Sequence, residues 1–135
     1  MDVAAIETKL REVLSPRAEA EGIAAAWLFG SVARGTARPD SDVDVGILYS
    51  EDRPQTLDEI GRAFDLQEDL QAVLKLPIQV VVLNHAPVDL IFRVLRDGRL
   101  LVERDRSRRI RFEVRSHKEY WDLEPYLRLC YRPGA

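Results

Sequence analysis

The sequence is poor in the residues that form disulfides or bind zinc. Of its 135 residues, one is cysteine and two are histidine. The single Cys130 excludes an intramolecular disulfide, and together with His85 and His117 it supplies too few ligands for a zinc site of the Cys/His type. Any metal bound by this chain would therefore have to be held by carboxylates.

Long hydrophobic runs are also missing. No stretch approaches the roughly 20 uncharged apolar residues that a membrane span needs. The N-terminus, MDVAAIETKL, lacks the basic-then-apolar layout of a signal peptide. We therefore expect a cytosolic protein without membrane association. Its length, with 46% hydrophobic and 32% charged residues, fits one compact domain over 1–135.

Charge is unevenly distributed along the chain. The net charge of −3 and pI near 5.4 argue against a dedicated DNA-binding protein. Residues 1–95 carry 9 basic and 16 acidic side chains, whereas residues 96–135 carry 11 and 7. The basic C-terminal part is either a solvated helix whose arginines pair with its own glutamates, or a surface for an anionic substrate or an acidic partner.

Hydrophobic periodicity predicts alternating helices and strands. Spacings of three and four residues predict helices over 3–14, ended by Pro16 and Gly22, over 55–74 with Thr56 as N-cap, over 87–96, and over 106–131 with a break near Pro125. Short apolar runs predict strands over 23–29, 43–49, 78–83 and 100–102. This order indicates an α/β (α+β) domain with a small mixed sheet flanked by helices and a C-terminal helix.

A Gly-Ser pair follows the first predicted strand. Gly30 and Ser31 open a short helix that Gly35 is placed to end. Glycine permits close approach, and backbone N–H groups at a helix start favour anions, so this pair can present N–H groups and a hydroxyl to a phosphate. Gly-Ser by itself is more often an ordinary turn.

Two aspartates bracket the start of the second predicted strand. Ten residues separate Ser31 from Asp42, and Asp44 follows. A period of two points both carboxylates to the same side. Asp-x-Asp alone is usually a solvated strand start. Two carboxylates beside a phosphate site, however, are the ligands that Mg²⁺ takes together with substrate phosphates, and the combination indicates nucleoside triphosphate chemistry.

The Gly-Ser, ten-residue, Asp-x-Asp pattern resembles the signature of the DNA polymerase β-like nucleotidyltransferase superfamily. Nearly the whole chain is similar to the minimal nucleotidyltransferase family, the antitoxins of HEPN/MNT toxin-antitoxin pairs. The matching parts beyond the motif are Arg93-Val94-Leu95-Arg96-Asp97-Gly98-Arg99-Leu100-Leu101, Glu103-Arg104-Asp105, and the tail from Arg111-Phe112-Glu113 through Tyr120-Trp121-Asp122.

The resemblance implies a nucleotidyltransferase fold that uses Mg²⁺ and ATP to transfer AMP to a tyrosine hydroxyl of a HEPN ribonuclease toxin. It places Asp42 and Asp44 as catalytic and metal-binding residues, and Gly30, Ser31, Arg34 and Ser41 around the nucleotide. We expect residues 1–104 to form the catalytic core, and residues 105–135 to form a basic, aromatic helical segment that contributes to the partner surface.

One position departs from the superfamily pattern. A third carboxylate is expected on the strand at 78–83, but the matching residue is Gln79. A neutral amide cannot act as a base and contributes less to holding a cation. The alternative function is therefore an antitoxin of weak or no catalytic activity that neutralises its toxin by binding alone. Strand alternation predicts that Gln79 borders the site of Asp42 and Asp44.

Overall fold

A computed structural model describes residues 2–130, which form a mixed sheet with helices on both faces. The elements are α1 Val3–Glu21, β1 Ile23–Phe29, α2 Gly30–Arg34, β2 Val43–Tyr49, α3 Leu57–Leu74, β3 Ile78–Val82, a 3₁₀ turn Leu83–His85, α4 Val88–Asp97, β4 Arg99–Glu103 and α5 Arg106–Cys130. The sheet order is β3-β2-β1-β4. β1 is antiparallel to both neighbours, whereas β2 and β3 are parallel. The predicted α/β class, mixed sheet and C-terminal helix are confirmed.

The two central strands separate two hydrophobic clusters. All seven residues of β1 are buried, as in a strand covered on both faces. On one face, leucines of α1 and α3 pack against the sheet, and on the other Ile91 and Val94 of α4 and Phe112 of α5 do so. None of the helices described within residues 2–130 is long and apolar enough to cross a membrane.

The first helix is longer than predicted. Its expected end near Pro16 is wrong, because α1 runs through this proline to Glu21. Gly22 then ends the helix with φ 68°, and its N–H donates to the Ala18 carbonyl. A proline inside a helix removes one backbone hydrogen bond. Continuing the helix nevertheless buries Ala18 in the core, and this packing outweighs the local preference.

The predicted break near Pro125 is also wrong, because α5 is continuous from Arg106 to Cys130. The carbonyl that loses its donor belongs to Trp121, one turn earlier. Trp121 is 67% exposed, so water can satisfy that carbonyl and the cost of the proline falls. Tyr131, the last residue of the predicted helix, lies outside the described residues.

The edge strand β3 has its outward backbone N–H groups covered by side chains of α3. Gln71 Oε1 accepts a hydrogen bond from the Ile78 N–H at 3.1 Å, and Gln67 Oε1 accepts one from the Val80 N–H at 3.0 Å. The strand ends at Val82, one residue earlier than predicted, because Leu83 begins the 3₁₀ turn.

The start of α5 is part of the core rather than a separable tail. Phe112 is 2% exposed, and its ring centroid lies 6.4 Å from that of Trp27 in β1. Arg108 is buried as well, and it binds Asp52 at 2.9 Å in the loop after β2. Removing everything after Asp105 would therefore uncover the sheet face that α5 protects.

We predict that Phe112→Ala lowers the free energy of unfolding by about 3–5 kcal/mol, because a buried aromatic ring is replaced by a cavity. Urea denaturation would measure the change. The matched control is Trp121→Ala, an exposed aromatic on the same helix, for which we expect a change within about 0.5 kcal/mol. Equal losses in the two variants would contradict the role given to Phe112.

Candidate active site

The candidate site is built where β1 ends beside the start of β2. Phe29, the last residue of β1, pairs with Asp44 in the antiparallel register. Gly30 follows with φ 77°, a backbone conformation that favours glycine. A Cβ at Gly30 would overlap the carboxylate of Asp44 and would lie 3.1 Å from its Cγ. The carboxylate therefore leans over the backbone at the start of α2.

The two aspartates differ in environment. Asp42 is exposed and precedes β2, whereas Asp44 is half-buried within it. Burial, and after it the charge of Asp42, raise the pKa of Asp44, while Arg34 opposes the rise. A partly buried carboxylate whose ionised form is disfavoured by burial and by a neighbouring carboxylate is stabilised by a cation beside it. This electrostatic setting favours the binding of a divalent metal.

The loop between α2 and β2 carries the other predicted nucleotide residues. Ser31 lies in the first turn of α2, and its carbonyl accepts the Thr36 N–H at 2.9 Å. Gly35 ends α2 with φ 75°, which confirms its predicted role. The Ser41 hydroxyl accepts the Arg38 N–H at 2.8 Å, so it closes the turn before the aspartates. Ser41 is thus engaged within the loop.

Gln79 lies beside Asp44 on the neighbouring strand. The parallel register of β2 and β3 pairs the two residues, which puts both side chains on the same face of the sheet. Gln79 is exposed, unlike the buried Ile78 before it. Within residues 2–130 no group of three or more His, Cys, Asp or Glu side chains is arranged to hold a metal. A metal here would be bound by Asp42 and Asp44 and would need further oxygen ligands from substrate or water.

The predicted helix over 87–96, ended by Asp97 and Gly98, is confirmed as α4. Its position beside the candidate site was not predicted from the sequence. In the fold, α4 packs against the end of β1, and its Ile91 and Val94 lie in one buried cluster with Phe29. Arg96 and then Arg34 of α2 lower the pKa of Asp97, so the end of α4 lies close to the Gly-Ser helix. No pattern in the local sequence predicts that α4 lies beside α2 and the end of β1.

Known proteins resemble this chain in sequence and in fold. A family model for polymerase beta nucleotidyltransferases matches residues 8–107. The chain is 33% identical over 75 residues to the protein adenylyltransferase MntA of Shewanella oneidensis, in an alignment that covers 56% of this chain and 50% of that relative. The chain thus matches about half the length of this curated relative.

Two solved structures extend the likeness. A chain in the crystal structure of a toxin-antitoxin with AMP-PNP superposes with a TM-score of 0.72 and 26% identity, covering 92% of this chain and 93% of that one. A chain in the complex of a tri-AMPylated Shewanella oneidensis HEPN toxin with MNT antitoxin has a TM-score of 0.68 at 22% identity, over 96% and 94% of the two chains. The second likeness concerns the fold alone.

The mixed sheet, with a Gly-Ser helix start facing an Asp-x-Asp strand, is the architecture of a nucleotidyltransferase. The family match covers well over half of the chain. The protein belongs to the polymerase beta nucleotidyltransferase family.

We predict that Gly30→Ala is far more disruptive than Gly35→Ala. Both glycines have φ near +75°, so both variants suffer the same backbone strain of about 1–2 kcal/mol. Only at Gly30 would the new Cβ meet Asp44, since nothing lies within 4 Å at Gly35. Urea denaturation of the two variants, with and without Mg²⁺, would separate strain from displacement of Asp44. Equal stability of the pair would contradict the close approach described here.

Proposed function

We propose that this protein is an antitoxin that transfers AMP from ATP to a tyrosine hydroxyl of a HEPN ribonuclease toxin in a Mg²⁺-dependent reaction. The observation that carries the proposal is the placement of Asp42 and Asp44 beside Gly30 and Ser31 at the end of β1. The similarity to the adenylyltransferase MntA and to a toxin-antitoxin with AMP-PNP supports both the chemistry and the partner.

The carboxylate pair fits Mg²⁺. Asp42 and Asp44 are hard oxygen ligands, and the raised pKa of Asp44 reflects burial and a neighbouring negative charge that a cation would offset. Mg²⁺, when bound, neutralises phosphate charge and helps to orient the reacting phosphate. Because a third protein carboxylate is not present beside this pair within residues 2–130, phosphate oxygens of the substrate and water would complete the coordination.

The nucleotide would lie over the start of α2. The Asp44 carboxylate lies against the backbone of Gly30, in the space that a Cβ would take, and Ser31 offers a hydroxyl next to it. Arg34 is exposed and its charge opposes the rise in the pKa of Asp44, so we expect its guanidinium to contact phosphate oxygens of the nucleotide. Ser41 serves indirectly, because its hydroxyl holds the turn that leads into Asp42.

Gln79 favours a second candidate function. The position beside Asp44 carries an amide, which cannot take the proton of an attacking hydroxyl. A chain with this substitution could neutralise a toxin by binding it without modifying it. The intact Gly-Ser and Asp-x-Asp elements favour the enzyme, since a pure binder has no use for two repelling carboxylates.

The proposal is tested by replacing both aspartates. We predict that Asp42→Asn/Asp44→Asn abolishes Mg²⁺-dependent ATP binding, measured by calorimetry, and transfer of label from ATP to the purified HEPN protein. The fold should survive, because the change removes repulsion from a partly exposed site. Unchanged ATP affinity in this variant would refute the site. Tight toxin binding without label by the unaltered protein would favour the binding-only function.

A further prediction concerns Gln79. We expect Gln79→Asp to raise the single-turnover rate of AMP transfer, because it restores a base and a third anionic ligand beside Asp44. A general base contributes roughly 10²–10⁴-fold, which sets the upper range of the gain. Gln79→Asn, which keeps an amide, is the control and should give no increase. A rate that does not rise with Gln79→Asp would show that this position does not limit transfer.

A further inference from the structure

Some basic side chains of α5 have no acidic partner in the part of the chain that the structure describes. Within residues 2–130, the basic residues of α5 that form ion pairs are Arg108, Arg109, Arg115 and Arg128. Arg106, Arg111 and Lys118 are exposed and belong to none of these pairs. Arg111 and Lys118 are seven residues apart, so two turns of helix place them on the same side of α5. This side is a basic flank that the glutamates of α5 do not neutralise.

An exposed apolar stripe runs beside this basic flank. Ile110, Val114 and Trp121 are 41%, 65% and 67% exposed. Their spacings of four and seven residues put them on one side of α5, opposite the side on which Phe112 enters the core. Val114 precedes Lys118 by one turn, so the stripe and the basic flank are adjacent. A row of exposed apolar side chains is typical of a surface that another protein covers.

Helix α3 carries the same arrangement with the opposite charge. Leu57 and Phe64 are 87% and 55% exposed and lie seven residues apart. Each is followed by an exposed aspartate, Asp58 and Asp65. In the described part of the chain, the residues of α3 that form ion pairs are Glu59, Arg62 and Asp69. Neither Asp58 nor Asp65 takes part in one, so α3 presents an apolar stripe with an acidic flank.

The two surfaces are complementary when the helices run antiparallel. Viewed from the N-terminus of each helix, the charges lie on the same side of the apolar stripe, and antiparallel packing brings such flanks together. At a rise of about 1.5 Å per residue, the paired charges would be offset by only about 3 Å along the helix axis. In that arrangement each side chain of α3 meets one of α5 in a second copy: Leu57 with Trp121, Phe64 with Val114, Asp58 with Lys118, and Asp65 with Arg111.

We infer that α3 of one molecule docks antiparallel on α5 of a second copy of this chain. The inference goes beyond the proposed function and does not rest on it. The uneven charge of the chain supports a second copy as the partner. Residues 1–95 carry 9 basic and 16 acidic side chains, whereas residues 96–135 carry 11 and 7, so each copy supplies both an acidic and a basic surface. A nucleic acid is a poor fit to α5, because the basic flank borders an apolar stripe and has few unpaired cations.

Sedimentation equilibrium in the absence of nucleotide and toxin tests the contact. The unaltered protein should have an average mass above its 15.4 kDa that falls on dilution. Arg111→Glu/Lys118→Glu and Asp58→Lys/Asp65→Lys should each weaken self-association by at least about tenfold, because each change places like charges across the contact. The matched control is Lys9→Glu, which alters an exposed lysine of α1 outside both surfaces and should leave self-association unchanged.

Mixing the two charge-reversed double variants gives the sharpest result. In the first variant both helix surfaces are acidic, and in the second both are basic, so each variant repels itself and complements the other. We expect an equimolar mixture to recover the association of the unaltered protein. A mixture that stays monomeric would overturn the inference, as would an unaltered protein that is monomeric at every concentration. Loss of binding to the purified HEPN toxin by the first variant, with self-association unchanged, would assign the α5 surface to the toxin instead.

A neutral variant guards against misfolding. Leu57→Gln removes an exposed apolar side chain and keeps a residue that favours helix, so it should weaken self-association while the melting temperature in dilute solution stays the same. Asp58 lies in the first turn of α3, where an acidic residue is favoured, so Asp65→Lys alone replaces the double variant if circular dichroism shows that the latter is unfolded. Self-association unchanged by Leu57→Gln would contradict the docking of α3.

Discussion

The close approach of Asp44 to Gly30 is the constraint on which the candidate site depends. The carboxylate occupies the space in which any other residue at position 30 would hold its Cβ. The approach is possible because β1 and β2 are antiparallel and pair Phe29 with Asp44, so that one strand ends where the other begins. The turn that we propose to bind phosphate and the carboxylate that we propose to bind metal thereby meet across a single strand pair.

The third position of the site is connected differently. Gln79 reaches Asp44 through the parallel pairing of β2 with β3, which requires the whole of α3 as a crossover. Because Gln79 is exposed on an edge strand, its identity contributes little to the core. The packing of the core therefore does not require an amide at this position. A change at this one position can therefore alter the chemistry of the site while the scaffold persists.

Short-range sequence patterns correctly predicted the elements whose formation depends on residues close together in the chain. The two central strands coincide with their apolar runs, and the Gly-Ser and Asp-x-Asp elements lie within one stretch of sequence. The helices through Pro16 and Pro125 could not be predicted in this way, because tertiary burial and solvent access decide whether a proline is tolerated. The packing of α4 against α5 could not be predicted from the sequence for a similar reason. The stacking of Phe92 on Tyr120 joins distant parts of the chain, and no periodicity reports it.

The glutamines of α3 have a consequence for how this protein associates with others. An open sheet edge is a template on which a foreign strand can add, and this property leads to aggregation as readily as to specific assembly. Gln67 and Gln71 occupy the donors of β3 that such a strand would need. Each glutamine side chain accepts a hydrogen bond that the carbonyl of a neighbouring strand would otherwise accept. Both glutamines belong to α3, the helix that connects β2 to β3. The β3 edge is therefore protected against the addition of a foreign strand at Ile78 and Val80.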